Sequence, residues 1–193
     1  EGKIRSLVAG VMLVSLFCPR SFSQTTYYVH TAGSNAWSGL CADPDGAACG
    51  PKATIQAAID VAANGDTVMV SPGLYFGAIS FQNKSIIVTG VDPDDPGVVA
   101  GTVIACPPLS TDTPTVSFFG QEGPDAMLIG FTITDGTGAS GGGICGGGWD
   151  GTEATIAHCV ITENNANHGA GLFNCDGRIE DCVIADNFAV GYG

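Results

Sequence analysis

Phe131-Thr-Ile-Thr-Asp135, Cys159-Val-Ile-Thr-Glu163 and Cys182-Val-Ile-Ala-Asp186 are three versions of one five-residue motif. Each opens on Phe or Cys, holds an isoleucine at its centre and closes on a carboxylate. The spacings are 28 residues (159 − 131) and 23 residues (182 − 159). The first offset also carries Gly141-Gly-Gly-Ile144 onto Gly169-Ala-Gly-Leu172. The five-residue difference falls in Gly146–Glu153 (GGGWDGTE), which reads as a loop insertion on one face. Leu128, Ile156 and Ile179 align as a second column, and Ile133, Ile161 and Ile184 as a third. Such a period is the signature of a solenoid. One unit cannot bury its apolar side alone. Stacking closes a continuous core and pairs each backbone with its neighbours, about 4.8 Å away. The aligned columns are therefore expected to point inward.

The rest of the chain fits this reading. Thr67–Val70, Ala78–Phe81, Ser85–Thr89, Val98–Ala105, Thr115–Phe119 and Met127–Thr134 are short apolar strands. Gly, Pro, Asp and Asn separate them, with no clear two-residue hairpin signal. Ahead of them, Thr26–His30 reads as a strand. Ile55, Ala58, Ile59 and Ala62 take the spacing of one helix face, with Thr54 as N-cap and Gly65 as stop. This is the one helix expected. The fold class is all-β, a parallel solenoid with an N-terminal helix over its open end, where bare strand edges would otherwise be exposed.

The first residue is Glu1, and Lys3 and Arg5 precede the apolar run Ser6–Phe17. Ser21 and Ser23 put small residues where a signal peptidase reads. This is the order of a secretory signal peptide, with cleavage expected after Ser23. The run is too short for a membrane span, which needs about 20 apolar residues. Three segments follow: 1–23 as signal, 24–66 as strand, loop and capping helix, and 67–193 as coils. The last coil is expected to be incomplete. Export places the protein outside the cell or at its surface. The whole sequence has 19 acidic and 6 basic residues. Removing 1–23 takes one acid and three bases, leaving 18 and 3, a net charge of −15 with His neutral. Nucleic acids and anionic lipids are held by Lys and Arg, so neither is an expected partner.

Eight cysteines less Cys18 leave seven. Cys41 and Cys49 bracket a short turn-rich loop and are the expected disulfide. Cys159 and Cys182 replace Phe131 in an inward column and are expected as stacked thiols. Cys145 and Cys175 are offset by two positions on adjacent coils and are the extra pair that spacing favours. The pairing of Cys106, Cys145 and Cys175 stays open.

The segments Tyr27-Tyr-Val29, Thr54-Ile-Gln-Ala-Ala-Ile59, Gly65-Asp-Thr-Val68 and Ser71-Pro-Gly-Leu-Tyr75 resemble a cap and first coil. The family is that of bacterial right-handed parallel β-helix proteins of the pectin-lyase-like superfamily. Gly130-Phe-Thr-Ile-Thr134 and the Gly-Gly-Gly-Ile segment are similar to its later repeats, and to the repeats of polymorphic outer-membrane proteins. The resemblance spans 27–193 and implies a right-handed coil. It is specific for fold and weak for function.

The resemblance to pectate lyases implies Ca²⁺ held by carboxylates and an Arg or Lys as base. Arg178 is the only basic residue after Lys84, and a polyuronate would meet a strongly negative surface. A glycoside hydrolase needs paired carboxylates. Asp94-Asp95 sits in a Pro-flanked turn and Glu180-Asp181 at a strand start, neither with the neighbours such a site carries. His158 and His168 read as surface or loop residues. The sharper signal is the acidic column Asp135, Glu163 and Asp186. Like charges one coil apart repel, and a bound calcium ion would reverse that. Asn164 and Asn187, one residue further on, would add oxygens or form a hydrogen-bonded ladder. Asp43 and Asp45 are a weaker calcium candidate, explained equally by an Asp-Pro-Asp-Gly turn. Trp37, Tyr75, Phe76, Trp149 and Tyr192 would stack on sugars, and Trp149 stands out because it lies in the insertion. The expected function is that of an exported, non-catalytic surface or matrix protein binding a polysaccharide or another cell-surface partner. The alternative is the N-terminal part of a polysaccharide lyase or glycoside hydrolase whose active site lies in further coils.

Overall fold

The computed structural model describes residues 24–45, 47–107, 112–148 and 151–192. The expected signal segment 1–23 and Trp149 lie outside the described residues. The strands form four sheets. The first holds Thr26–Val29, Thr67–Val70, Ile87–Gly90, Met127–Ile129, Thr155–Ala157 and Ile179–Glu180. The second holds Gly73–Phe76, Thr102–Ala105, Thr132–Thr134, Val160–Thr162 and Val183–Ala185. The third holds Thr137–Ser140, Asn165–His168 and Phe188–Tyr192. The fourth holds Ile79–Ser80, Val116–Ser117, Ile144–Cys145 and Leu172–Phe173.

All strand pairings within these sheets are parallel. From Thr67 onward the chain visits the first, second and fourth sheets in a fixed rotation, with the third entering between second and fourth from Thr137, so each circuit lays its strands beside their counterparts in the circuit before. The protein is thus all-β apart from short helices, in an arrangement compatible with a parallel solenoid. Among the described residues no helix is long and apolar enough to cross a membrane.

The columns read from the repeat are the core. Val68, Val88, Leu128, Ile156 and Ile179 stand in register in the first sheet. Tyr75, Ile104, Ile133, Ile161 and Ile184 do so in the second. Ile133 and Ile161 are completely buried, as expected. Ile184 is not, nor is Ile179 in the first sheet: they are 49 % and 40 % exposed, because no described strand pairs on their far side. Burial therefore follows the neighbours on both sides of a circuit, and the inward column alone does not secure it. Tyr75 also departs from expectation. It is a core residue whose hydroxyl donates to the Ser71 carbonyl at 2.7 Å, so it offers no platform to a ligand.

The expected helix spans Ile55–Val61, with the Thr54 hydroxyl accepting from the Ala57 N–H. Ile55, Ala58, Ile59 and Ala62 are its buried stripe. It ends sooner than Gly65, at the C-cap Ala62. A second helix, Pro96–Gly101, replaces the start of the strand expected at Val98. Asp95 caps it, accepting from Gly97 N–H at 2.7 Å, and Pro96 occupies its first turn. The β-branched Val98-Val99 pair suggested a strand, but Asp-Pro at the start of a helix supplies a cap and a preset φ, and that local signal won. The loop before this helix folds over Gly130. A Cβ at Gly130 would come within 2.7 Å of Pro93 Cβ, and φ there is +78°, so only glycine fits.

Candidate functional site: an acidic corner, an open trough and a thiol pair

The second and third sheets meet at a sharp corner. Asp135, Glu163 and Asp186 each occupy it, all with positive φ between +54° and +60°. The left-handed conformation reverses the chain in one residue, and Asp tolerates it better than most residues. All three carboxylates are exposed. Among the described residues, no three His, Cys, Asp or Glu side chains converge to hold a metal ion. The column is a spaced row of charges, one per circuit.

Directly behind it, the asparagines form the ladder. Asn164 is 1 % exposed and saturated. Its Nδ2 donates to the carbonyls of Ile133 (3.0 Å) and Thr162 (2.9 Å) and to Asn187 Oδ1 (2.9 Å), while its Oδ1 accepts from Gly136 N–H at 2.9 Å. Asn187 repeats the pattern, donating to the carbonyls of Ile161 (2.8 Å) and Ala185 (3.0 Å). The ladder stops at Gly136, because a Cβ there would collide with the Gly142 carbonyl. These amides are committed to the backbone and leave no oxygen for an ion.

Two residues past each acidic corner begins a strand of the third sheet. Thr137 pairs with Asn165, and Asn165 with Phe188. Ala166 points inward and is buried, so Asn165 and Asn167 point outward, and both are exposed. Thr137, Gly138, Ala139, Asn165, Ala166 and Asn167 form an open trough of about 440 Å³, with Asp112 on its wall. The Asn165 and Asn167 side chains carry no hydrogen bond among the described residues. Phe188, 64 % exposed, continues the outward row on the next strand. The alternation of Asn-Ala-Asn was readable in sequence. Its outward sense was not, because the preceding corner turns the strand by an amount that spacing does not reveal.

A second cluster lies at the opposite end of the second sheet. His158 and Asp181 have positive φ at the corner where Gly130 stands one circuit earlier. His158 lies between two carboxylates, with Nδ1 3.8 Å from Asp94 and Nε2 3.9 Å from Asp181. These residues, with Cys159, Val160 and Val183, line a cleft of about 190 Å³. Repeat alignment puts His158 beside Asp181. Asp94 comes from an inserted loop outside the repeat and could not be placed from sequence.

Cys41 and Cys49 form the expected disulfide, with Cα atoms 5.2 Å apart. Cys106, Cys145, Cys159, Cys175 and Cys182 are free, so the Cys145–Cys175 bond is not formed. Cys159 and Cys182 are stacked thiols, as expected, but only Cys159 is fully buried. Burial pushes Cys159 well above the ordinary thiol value. The hydrogen bond from Cys159 pulls Cys182 below that value, against its partial burial, and the nearby His158 adds to the pull. Burial raises Cys175 to about 12. In the Cys41–Cys49 loop, Asp43 accepts from Asp45 N–H at 2.8 Å, the turn that explains both residues without a metal. No family model, no curated protein and no solved structure matches this chain.

Proposed function

We infer that this chain is a right-handed parallel β-helix of the pectin-lyase-like kind, exported, and that it holds an uncharged glycan on its side without transforming it. The all-parallel sheets visited in rotation, and a helix whose apolar stripe packs at the start of the stack, support the fold reading. The observation that carries the function is the trough on the third sheet. Its free Asn165 and Asn167 amides each offer donors and an acceptor, the pairing that sugar hydroxyls need. Glycine and alanine between them let a flat ligand approach the strands. Exposed Phe188 adds an apolar face in the same row. The charge pattern selects the ligand class. Asp112, Asp135, Glu163 and Asp186 border the trough and would repel uronates and sulfated chains.

The test is a titration of neutral oligosaccharides and uronate oligomers, with product analysis by mass spectrometry. The expected result is saturable binding of a neutral chain, no new products, and about tenfold weaker binding in the Asn165→Ala/Asn167→Ala double variant. Both positions are exposed, so that variant keeps its fold. Preference for uronates, or unsaturated or hydrolysed products, would move the reading to an enzyme.

A further inference from the structure

Of the five described cysteines outside the disulfide, stacking sets two side by side. Cys159 and Cys182 directly precede Val160 and Val183, which pair in register, and Val183 N–H donates to the Cys159 carbonyl at 2.8 Å. In-register parallel strands place Cα atoms about 4.8 Å apart, inside the roughly 4.4–6.8 Å span of a disulfide. Each thiol donates to a backbone carbonyl, Cys159 to Ala157 and Cys182 to Glu180, both at 3.2 Å. The two differ in access: Cys159 is 1 % exposed and Cys182 is half-buried. The cleft lined by Asp94, His158 and Asp181 reaches Cys159 from the side, and Cys182 stands on the next strand. The remaining free thiols are in other settings. Cys106 is buried and bonded to the Thr115 hydroxyl, and Cys175 lies on a different sheet edge.

We propose that Cys159 and Cys182 form a thiol–disulfide exchange site for low-molecular-weight disulfides, with Cys182 the entering thiol and Cys159 the resolving one. Cys182, as thiolate, attacks one sulfur of R–S–S–R. A Cys182–S–S–R bond forms, the old S–S bond breaks, and the expelled RS⁻ takes a proton from solvent. Cys159 then gives its proton to solvent and attacks Cys182 Sγ. The 159–182 disulfide forms and the second RS⁻ leaves and is protonated. The protein loses two electrons and two protons, and R–S–S–R becomes two R–SH. Partial exposure lets solvent reach the anion at Cys182, and the adjacent Cys159 and His158 favour it. Burial keeps Cys159 protonated until its partner has reacted. The inference is independent of the glycan reading.

The experiment treats the folded full chain with oxidised glutathione at neutral pH, quenches with acid and maps the peptides by mass over time. The expected product is a 159–182 linkage with two glutathiones released per chain. Cys159→Ser should stop at the mixed disulfide on Cys182. Brief alkylation of the unmodified protein with limiting iodoacetamide needs no variant, and should label Cys182 about tenfold faster than Cys175. Equal labelling of Cys106, Cys145 or Cys175, or a Cys159→Ser chain that leaves Cys182 unmodified, would overturn the assignment.

Discussion

At the scale of single residues, the least expected feature is a buried carboxylate held by backbone N–H groups, with no cationic side chain paired to it among the described residues. Glu122 is 2 % exposed and accepts from the backbone N–H groups of Asn83, Phe119, Gly120 and Gln121 at 3.0–3.2 Å. It holds the end of the fourth-sheet strand Val116–Ser117 to the turn before Ile87–Gly90. Replacing it by alanine takes the acceptor from four part-buried donors. Glu122→Ala is expected to cost about 3 kcal/mol in urea unfolding, and Glu122→Gln less, because one amide oxygen still accepts. Tyr75 gives a pH-dependent counterpart. Burial raises its phenol from 10.0 to about 12. Below pH 10 it is neutral whether the chain is folded or not, and its contribution is complete. Between pH 10 and about 12 the unfolded chain ionises first, so stability falls across that window. Tyr75→Phe should lose about 1 kcal/mol at neutral pH, with the Ser71 hydrogen bond. It should also show a shallower decline in melting temperature over the alkaline window. An identical alkaline decline in both proteins would mean that Tyr75 does not drive it.

At the scale of elements, corner and ladder share the load. At the acidic corner Asp135, Glu163 and Asp186 sit in the left-handed conformation, and the asparagine behind each of the last two ties the turn to the circuit before. Asn164→Ala removes those bonds and the amide donations to the carbonyls of Ile133 and Thr162. A loss of about 3 kcal/mol is expected in denaturant unfolding. A cost under 1 kcal/mol would show that the ladder is ornamental. Glu163 stands between two like charges in the acidic row. Glu163→Gln should raise the melting temperature by about 1 °C at low salt. The gain should vanish near 1 M salt, where screening acts over about 3 Å. A Ca²⁺ response at constant ionic strength, present in the native chain and absent from Glu163→Gln, would instead assign an ion to the row. The repeat made the corner legible, because Asp135, Glu163 and Asp186 align by counting. Its ligand geometry was not legible, because counting cannot tell whether carboxylates in one column converge. The helix at Pro96 was hidden for a different reason: Val98-Val99 favours a strand by propensity, and the deciding cap is one aspartate.

At the scale of the whole molecule, the strands stack circuit upon circuit. The inward columns were readable because stacking forces like residues into one line. The trough and the His158 cluster were not, since both depend on where inserted segments land: Asp112 beside the third sheet and Asp94 over the Gly130 corner. The central claim is that cohesion runs from circuit to circuit, and it has a direct measurement in native-state hydrogen exchange. In a stack, all sheets of one circuit open together and each circuit depends on its neighbours. The strands Thr155–Ala157 and Val160–Thr162, flanked on both sides, should exchange slowly and with one opening free energy. Ile179–Glu180, Val183–Ala185 and Phe188–Tyr192 have no described strand beyond them and should exchange faster, again as one group. Protection that sorts by sheet, with the six strands of the first sheet opening together and apart from the second, would contradict the stacked arrangement.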